Sequence, residues 1–371
     1  MKLKFNKDVY LNFSQQPLGG SSFTNWLYLL AENKFCIDWR FVPRALYVTM
    51  LILFLTPFRI KEKRMVERKL RDVEIVPPLF IVGHFRSGTT FLHYLMGQDK
   101  SLAYVSTFET MAPWVLLNDK LRKLVEERLP EKRPMDDLEM DAGLPYEEEY
   151  AIANLCPYSF YHGWYFPKKI NYYFRKYVLF EGVSEEVKQK WKNWYEYLLK
   201  KITLKHDGKR ILLKSPVNTG RIKLLLEIFP DAKFIHIYRN PYKVYLSTWR
   251  LYEKILPIFS FQHIEKEMLD RFILDFYKEV YSKYFEEKHL IDKGNLVEIS
   301  YEEFVKEPMK KLKWIYEKLG LDGFEKAEPY FRRYVEKHKN YKPHSYVITD
   351  KIREKVYSEW KFAFDEFGYK K

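Results

Sequence analysis

Cysteine is nearly absent: Cys36 and Cys156 are the only two in 371 residues, and neither falls in a CxxC or Cys/His spacing. That excludes a disulfide scaffold and a structural zinc site, and it favours a reducing compartment, so a cytoplasmic location is expected. Internal repeats and low-complexity tracts are also missing, which with an ordinary apolar and charged composition excludes a disordered or collagen-like chain. The first residues, MKLKFNK, are basic but lead into no apolar run, so no signal peptide is expected. Long hydrophobic runs are lacking too. The strongest, ALYVTMLILFLTPF at 45–58, is shorter than the roughly 20 residues that span a bilayer. It leads directly into Arg59-Ile60-Lys61-Glu62-Lys63-Arg64, a pattern shared by a buried helix with a charged exit and by a helix lying in a membrane interface. Peripheral membrane contact through 45–64 is therefore one expectation, and a buried helix the other.

What is present is positive charge and aromatic rings. Lys plus Arg total 64 against 50 for Asp plus Glu, a net charge of +14, and aromatics make up 18% of the chain. The charge favours anionic partners such as nucleotides, phosphates or acidic head groups. The rings suit a nucleic-acid platform, a lipid surface or simply a large aromatic core. The length allows two domains or one large α/β domain with insertions.

Four short apolar runs read as strands buried in a parallel sheet: 79–82, 211–213, 233–238 and 296–300. Helical patterns separate them, one over 184–205 and one over 219–229, where Ile222, Leu225, Leu226 and Phe229 share a face. Strands alternating with helices predict an α/β fold, a P-loop-like parallel β-sheet flanked by helices with right-handed crossovers. The stretch from 98 to about 177 lacks that rhythm and is rich in proline. It reads as a helical and loop insertion at about 110–180 that forms the acceptor side. The expected organisation is an N-terminal helical extension over 1–76 and a single domain over 77–371.

The sharpest local signal is Gly83-His84-Phe85-Arg86-Ser87-Gly88-Thr89-Thr90, directly after the strand at 79–82. Its glycines have the spacing of a phosphate-binding loop, and a turn of this kind into a helix presents backbone N–H groups and the positive helix end to an anion. Where a nucleotide triphosphatase has lysine stands Thr89, while a cation, Arg86, sits inside the loop. A kinase or GTPase also needs an Asp at a neighbouring strand end for magnesium. The neighbouring strands here end in Lys214 and Arg239, which cannot ligate a metal. Protein cations in place of metal ligands indicate a nucleotide whose leaving phosphate is neutralised by side chains. Arg239 sits where ligands bind in open α/β sheets, Asn240-Pro241 starts a helix after it, and Ser247 lies two turns along that helix.

These residues resemble the PAPS-dependent sulfotransferase family. PLFIVGHFRSGTTFLHYLM resembles its 5′-phosphosulfate loop, LLKSPVNTGRIKLLLEIFPDAKFIHIYRNPYKVYLSTW its core and 3′-phosphate motif, and the segment 298–308 its RYEDLV-type region. The Arg-containing loop looks closer to the bacterial and tyrosylprotein types than to the cytosolic phenol or steroid types. The resemblance implies that Arg86, Ser87, Gly88, Thr89 and Thr90 hold the 5′-phosphosulfate, that Arg239 and Ser247 hold the 3′-phosphate, and that Tyr301 lies near the adenine. It implies that Lys214 steadies the bridging oxygen as the S–O bond breaks, alongside Arg86, and that Glu109, in Phe108-Glu109-Thr110, is the general base, with His162 in reserve. The C-terminal segment Lys342-Pro343-His344-Ser345-Tyr346 departs from the cytosolic pattern that covers the 3′-phosphate.

The implied cofactor is PAPS, with PAP as product and no metal. The implied partner is a small-molecule or lipid acceptor, with no nucleic acid. The run Tyr158-Ser159-Phe160-Tyr161-His162-Gly163-Trp164 could wall a pocket for a sterol, another apolar alcohol or a glycolipid, making Tyr161, His162 and Trp164 substrate candidates; it could equally be core. Glu147-Glu148-Glu149 reads as a helix start rather than a metal site. The rival readings are a P-loop kinase with an altered loop and a non-catalytic basic nucleic-acid- or membrane-binding protein.

Overall fold

The computed structural model describes all residues except 4, 6, 11–15, 128, 130, 134–138 and 340–343. It divides into two compact units, each assembled from separated stretches of chain. One comprises Ile75–Tyr104, Lys209–Trp249 and Ile273–Lys371, and the other Met1–Glu74, Val105–Gly208 and Arg250–Phe272.

The first of these holds a five-stranded sheet. Its strands are β1 (Leu79–Val82), β2 (Leu102–Tyr104), β3 (Arg210–Lys214), β4 (Lys233–Tyr238) and β5 (Leu296–Ser300), in the order β2-β3-β1-β4-β5, with every pair parallel. All four residues of β1 are fully buried, because β1 is central and has helices on both faces. Ile81, Leu92, Leu212, Ile235, Ile299 and Phe331 belong to one apolar cluster around it. Each such side chain contributes about 1.5–3 kcal/mol by leaving water. β5 alternates buried Val297 and Ile299 with exposed Glu298, as an edge strand with one covered face does. β2 falls in the stretch whose sequence carries no strand rhythm. Three residues at a sheet edge are too few to show a period, and pairing with β3, Leu102 with Arg210 and Tyr104 with Leu212, is what makes it a strand.

This topology has a functional consequence. With β3 on one side of β1 and β4 on the other, the residues following β1, β3 and β4 emerge side by side at the carboxyl edge of the sheet. Ligands bind at such edges in open α/β sheets. The predicted helices are there too: Thr89–Met96 follows the loop, Ile222–Ile228 follows a short 3-10 turn, and Pro241–Phe259 begins at Pro241, where the Asn240 side chain accepts from the Lys243 N–H.

The second unit is helical. The pattern at 184–205 forms the helix Glu185–Lys205, and Ser184 caps it by accepting from the Val187 N–H. The run read at 45–58 is only the middle of a longer helix, Val42–Val66, of 25 residues. With the preceding turn, Trp39–Val66 is long and apolar enough to cross a membrane. Periodicity understated it because Pro43 is tolerated in the first turn, and because the basic residues after 58 continue the helix instead of ending it. Large aromatic side chains, Trp26, Trp164, Trp191, Tyr161, Tyr165 and Tyr173, fill the interior. A buried ion pair, Lys201 to Glu62 at 2.8 Å, is completed by the Pro113 carbonyl, 2.7 Å from the same ammonium. Buried charges persist only when paired and hydrogen-bonded in this way.

Candidate active site

In the sheet unit, the loop after β1 is shaped by two glycines. Gly83 has φ 140°, and a Cβ there would lie 2.2 Å from the Ile237 carbonyl oxygen of the neighbouring strand. Gly88 has φ 100° and forms the N-cap of Thr89–Met96, and a Cβ on it would enter the Tyr301 ring. Only glycine meets both demands. Between them Arg86 is itself left-handed, with φ 69°, a strained state for a non-glycine residue. The loop is braced by the Ser87 hydroxyl donating to the His84 carbonyl at 2.7 Å, and by the Gly83 N–H donating to the Thr219 hydroxyl at 2.8 Å. Burial holds the His84 imidazole well below its usual pKa, at about 3, so the ring is neutral at pH 7.

The predicted anion-binding side chains converge on this loop. Arg86 Nε donates to Ser247 Oγ at 2.9 Å, and an Arg239 guanidinium nitrogen donates to the Arg86 carbonyl at 3.1 Å. The Arg239 guanidinium lies 4.3 Å from the centre of the Tyr301 ring, which also flanks Gly88. Lys214, only 1% exposed, places its ammonium 3.3 Å from the Thr90 hydroxyl. Arg86, Ser87, Gly88, Thr89, Thr90, Lys214, Arg239, Ser247 and Tyr301 thus form one constellation from four segments. Its functional groups are cations, hydroxyls and the N-terminus of an eight-residue helix, a donor set for a polyanion. Two polar atoms at its edge, Arg239 Nε and Ser215 Oγ, are buried with no hydrogen-bond partner among the described residues. Sequence reasoning missed Thr219 as a loop brace and gave Ser215 no role beyond closing the strand at Lys214-Ser215-Pro216. Their position in the Lys-Ser-Pro strand end and the turn after it was the available signal.

In the helical unit, Glu109 is 1% exposed with both carboxylate oxygens engaged. Oε2 accepts from the Ser106 N–H at 2.7 Å in a reciprocal capping box. Oε1 faces the Lys205 ammonium at 2.7 Å and His206 Nε2 at 3.4 Å. Burial alone would raise its pKa, but the His206 contact, the Lys205 charge and the Ser106 N–H outweigh it and hold the carboxyl at about 2. These are the properties of a brace, and a carboxylate so stabilised is a weak base.

Tyr161, His162 and Trp164, expected at the acceptor wall, are core residues instead. All three are buried; Trp164 stacks on Tyr161 with ring centres 3.9 Å apart, and the Tyr161 hydroxyl donates to Glu147. His162 has ring nitrogens 2.9 Å from the Ala153 carbonyl and 3.2 Å from that of Pro157, and burial lowers its pKa to about 4. Rings that stack this well on one another leave no face for a ligand. Glu148 and Glu149 do begin a helix, Glu148–Leu155, where they accept from Tyr195 and Ser159. Of the C-terminal segment, Lys342 and Pro343 lie outside the described residues, while His344, Ser345 and Tyr346 precede the helix Asp350–Phe367.

The helical unit has its own cavity, of about 200 Å³. Tyr47, Leu51, Phe54 and Leu55 line it from the helix Val42–Val66, and Phe108, Met111, Val115, Tyr150, Ile258 and Phe259 line it from elsewhere in the unit. Among the described residues, Gln16 is the one lining side chain with an amide or charge. No contiguous motif marks this pocket, since its walls are drawn from distant parts of the chain.

A family model described as “Sulfotransferase family” matches residues 77–326. The chain is 32% identical over 355 residues, 94% of its own length and 90% of the relative's, to the omega-hydroxy-beta-dihydromenaquinone-9 sulfotransferase Stf3 of Mycobacterium bovis, and equally to that of Mycobacterium tuberculosis. Among solved structures it resembles sulfotransferase STF9 from Mycobacterium avium, with TM-score 0.69, 16% identity and coverage of 94% of this chain and 97% of that one. Sulfotransferase STF1 from Mycobacterium tuberculosis gives TM-score 0.65 and 16% identity, covering 96% of this chain and 98% of that one. At such identities the two structures speak to the fold.

Proposed function

This chain belongs to the sulfotransferase family, and from that premise we propose that it transfers a sulfonyl group from PAPS to the hydroxyl of a long, apolar lipid alcohol of the isoprenoid kind. The lipid half rests chiefly on one observation, the cavity walled almost wholly by aliphatic and aromatic side chains. It is supported by the relative named for a hydroxylated menaquinone. The donor half rests on the donor set around the loop. PAPS, when bound, supplies the sulfonyl group and leaves as PAP.

The rest is work for this chain's own residues. Arg86, Lys214 and the backbone N–H groups at Gly88, Thr89 and Thr90 face negative charge that grows on the leaving phosphate, which is where preorganised donors lower a barrier most. Arg239 and Ser247 hold the remaining phosphate, and Tyr301 gives the base a ring to lie against. The helical unit, including 1–76 and the insertion at about 110–180, supplies the acceptor side, where apolar walls exclude water and orient the chain of the alcohol. Glu109 takes the hydroxyl proton as the new S–O bond forms; its low pKa, set by His206, Lys205 and the Ser106 N–H, makes it a weak base that also braces this region.

Thermal shift tests the donor half. PAP without metal is expected to raise the melting temperature, since a ligand of the native state stabilises it. Stabilisation by ATP–Mg²⁺ and not by PAP would return the kinase reading. Transfer from PAPS to a hydroxylated polyprenyl lipid in detergent micelles, read by mass spectrometry, tests the acceptor half. Transfer to short soluble alcohols alone would overturn it.

A further inference from the structure

The helix Val42–Val66 has three different faces. Arg44, Val48, Ile52 and Val66 are buried in the unit, and Tyr47, Leu51, Phe54 and Leu55 line the cavity. Along the third, Leu46, Met50, Leu53 and Phe54 are exposed by 60, 71, 52 and 60%. Val42 and Phe58 extend the same row, and Phe35 and Trp39 add exposed rings before the helix starts. The spacing 42, 46, 50, 53/54, 57/58 is one continuous helical stripe. Singly exposed apolar residues are common, but a contiguous row of this length marks an interaction surface.

One observation identifies what covers it. The same stripe turns basic on its next turns, at Lys61 and Arg64, both exposed. Apolar side chains followed by phosphate-binding cations are the chemistry of the acyl and head-group layers. Phe54, which belongs to both the stripe and the cavity wall, makes the two surfaces continuous.

We propose that the helix Val42–Val66 docks the protein on an anionic phospholipid bilayer. Trp39, Leu46, Met50 and Leu53 enter the acyl layer, and Lys61 and Arg64 meet phosphate head groups. Docking stands on this surface alone. Its use, admitting a lipid acceptor along Phe54 without passage through water, rests on the function proposed above.

The test is vesicle flotation of the full chain without donor or acceptor, so its result is independent of catalysis. The protein is expected to float with phosphatidylcholine vesicles containing phosphatidylglycerol. Leu46→Glu/Met50→Glu, neither of which lines the cavity, should reduce the floated fraction about tenfold at unchanged melting temperature. Lys61→Glu/Arg64→Glu should remove the preference for phosphatidylglycerol over pure phosphatidylcholine vesicles. Wild-type protein that stays unbound overturns the proposal. So does sedimentation showing a dimer that Leu46→Glu/Met50→Glu converts to monomer without any vesicle binding, because the stripe would then be covered by a second copy. Micelle transfer activity retained by Leu46→Glu/Met50→Glu separates failure of docking from failure of the sulfotransfer reading.

Discussion

The loop after β1 and the cavity of the helical unit solve opposite problems. The loop gathers charge: its two glycines admit the Ile237 carbonyl and the Tyr301 ring, and Arg86, Arg239 and Lys214 close around it within hydrogen-bond reach of Ser247, the Arg86 carbonyl and Thr90. Among the described residues the cavity wall carries no charge, with Gln16 the one amide among rings and aliphatic chains. Substitution should act differently in the two. Polar recognition fails when one donor is lost, because the group left behind is unpaired. Apolar recognition degrades gradually with shape and volume.

The largest effect is expected at Lys214. Lys214→Ala should lower kcat by about 10²–10³ with little change in acceptor KM, since a donor that acts on developing charge is lost; a change in KM alone would move Lys214 out of that role. Arg239→Ala should weaken PAP binding about 10–100-fold by titration calorimetry, the worth of a charge-assisted hydrogen bond of about 1.5–3 kcal/mol. If PAP binding held, the constellation would not be a nucleotide site. In the cavity, Leu55→Trp should cost about tenfold in kcat/KM for a long-chain acceptor, of the order of one or two methylenes of pocket, and leave PAP binding unchanged. Loss of PAP affinity in that variant would erase the contrast.

Glu109 sharpens it further. Glu109→Gln removes one side of the Lys205 ion pair and weakens the cap at Ser106, so a loss of about 1–3 kcal/mol in stability is expected by urea unfolding. A fall in kcat at full stability would mark Glu109 as the base and not only a brace. Acid should act on both units. His162 and His84 have folded pKa values of about 4 and about 3, below the usual 6.5. The unfolded chain therefore binds protons first, and stability present above pH 6.5 declines as pH falls through that window, at about 1.4 kcal/mol per pH unit for each ring. Glu109, lowered from 4.5 to about 2, is fully stabilising above pH 4.5 and loses its contribution between pH 4.5 and about 2. A melting temperature that is flat from pH 7 to 4 would mean that the two rings are not buried neutral.

Legibility followed the same division. The strands around 79–82, 211–213, 233–238 and 296–300 could be read in advance because strands buried on both faces are continuous apolar runs. β2 could not, having three residues and no period of its own. The loop residues were legible because they are consecutive. Tyr161, His162 and Trp164 misled for a physical reason: aromatic residues that line a pocket and those that fill a core have the same composition, and only packing separates them. The helix Val42–Val66 was recognised at its centre and underestimated at both ends.

Residue order alone specified the α/β alternation, the glycine-bounded loop and the basic strand ends, because backbone conformation, periodicity and charge type act over a few neighbouring residues. The cavity, the bracing of Glu109 by Lys205 and His206, and the exposure of Leu46 and Met50 were settled by folding. Each depends on which distant side chains arrive beside it, and burial is a property of the packed chain rather than of any segment.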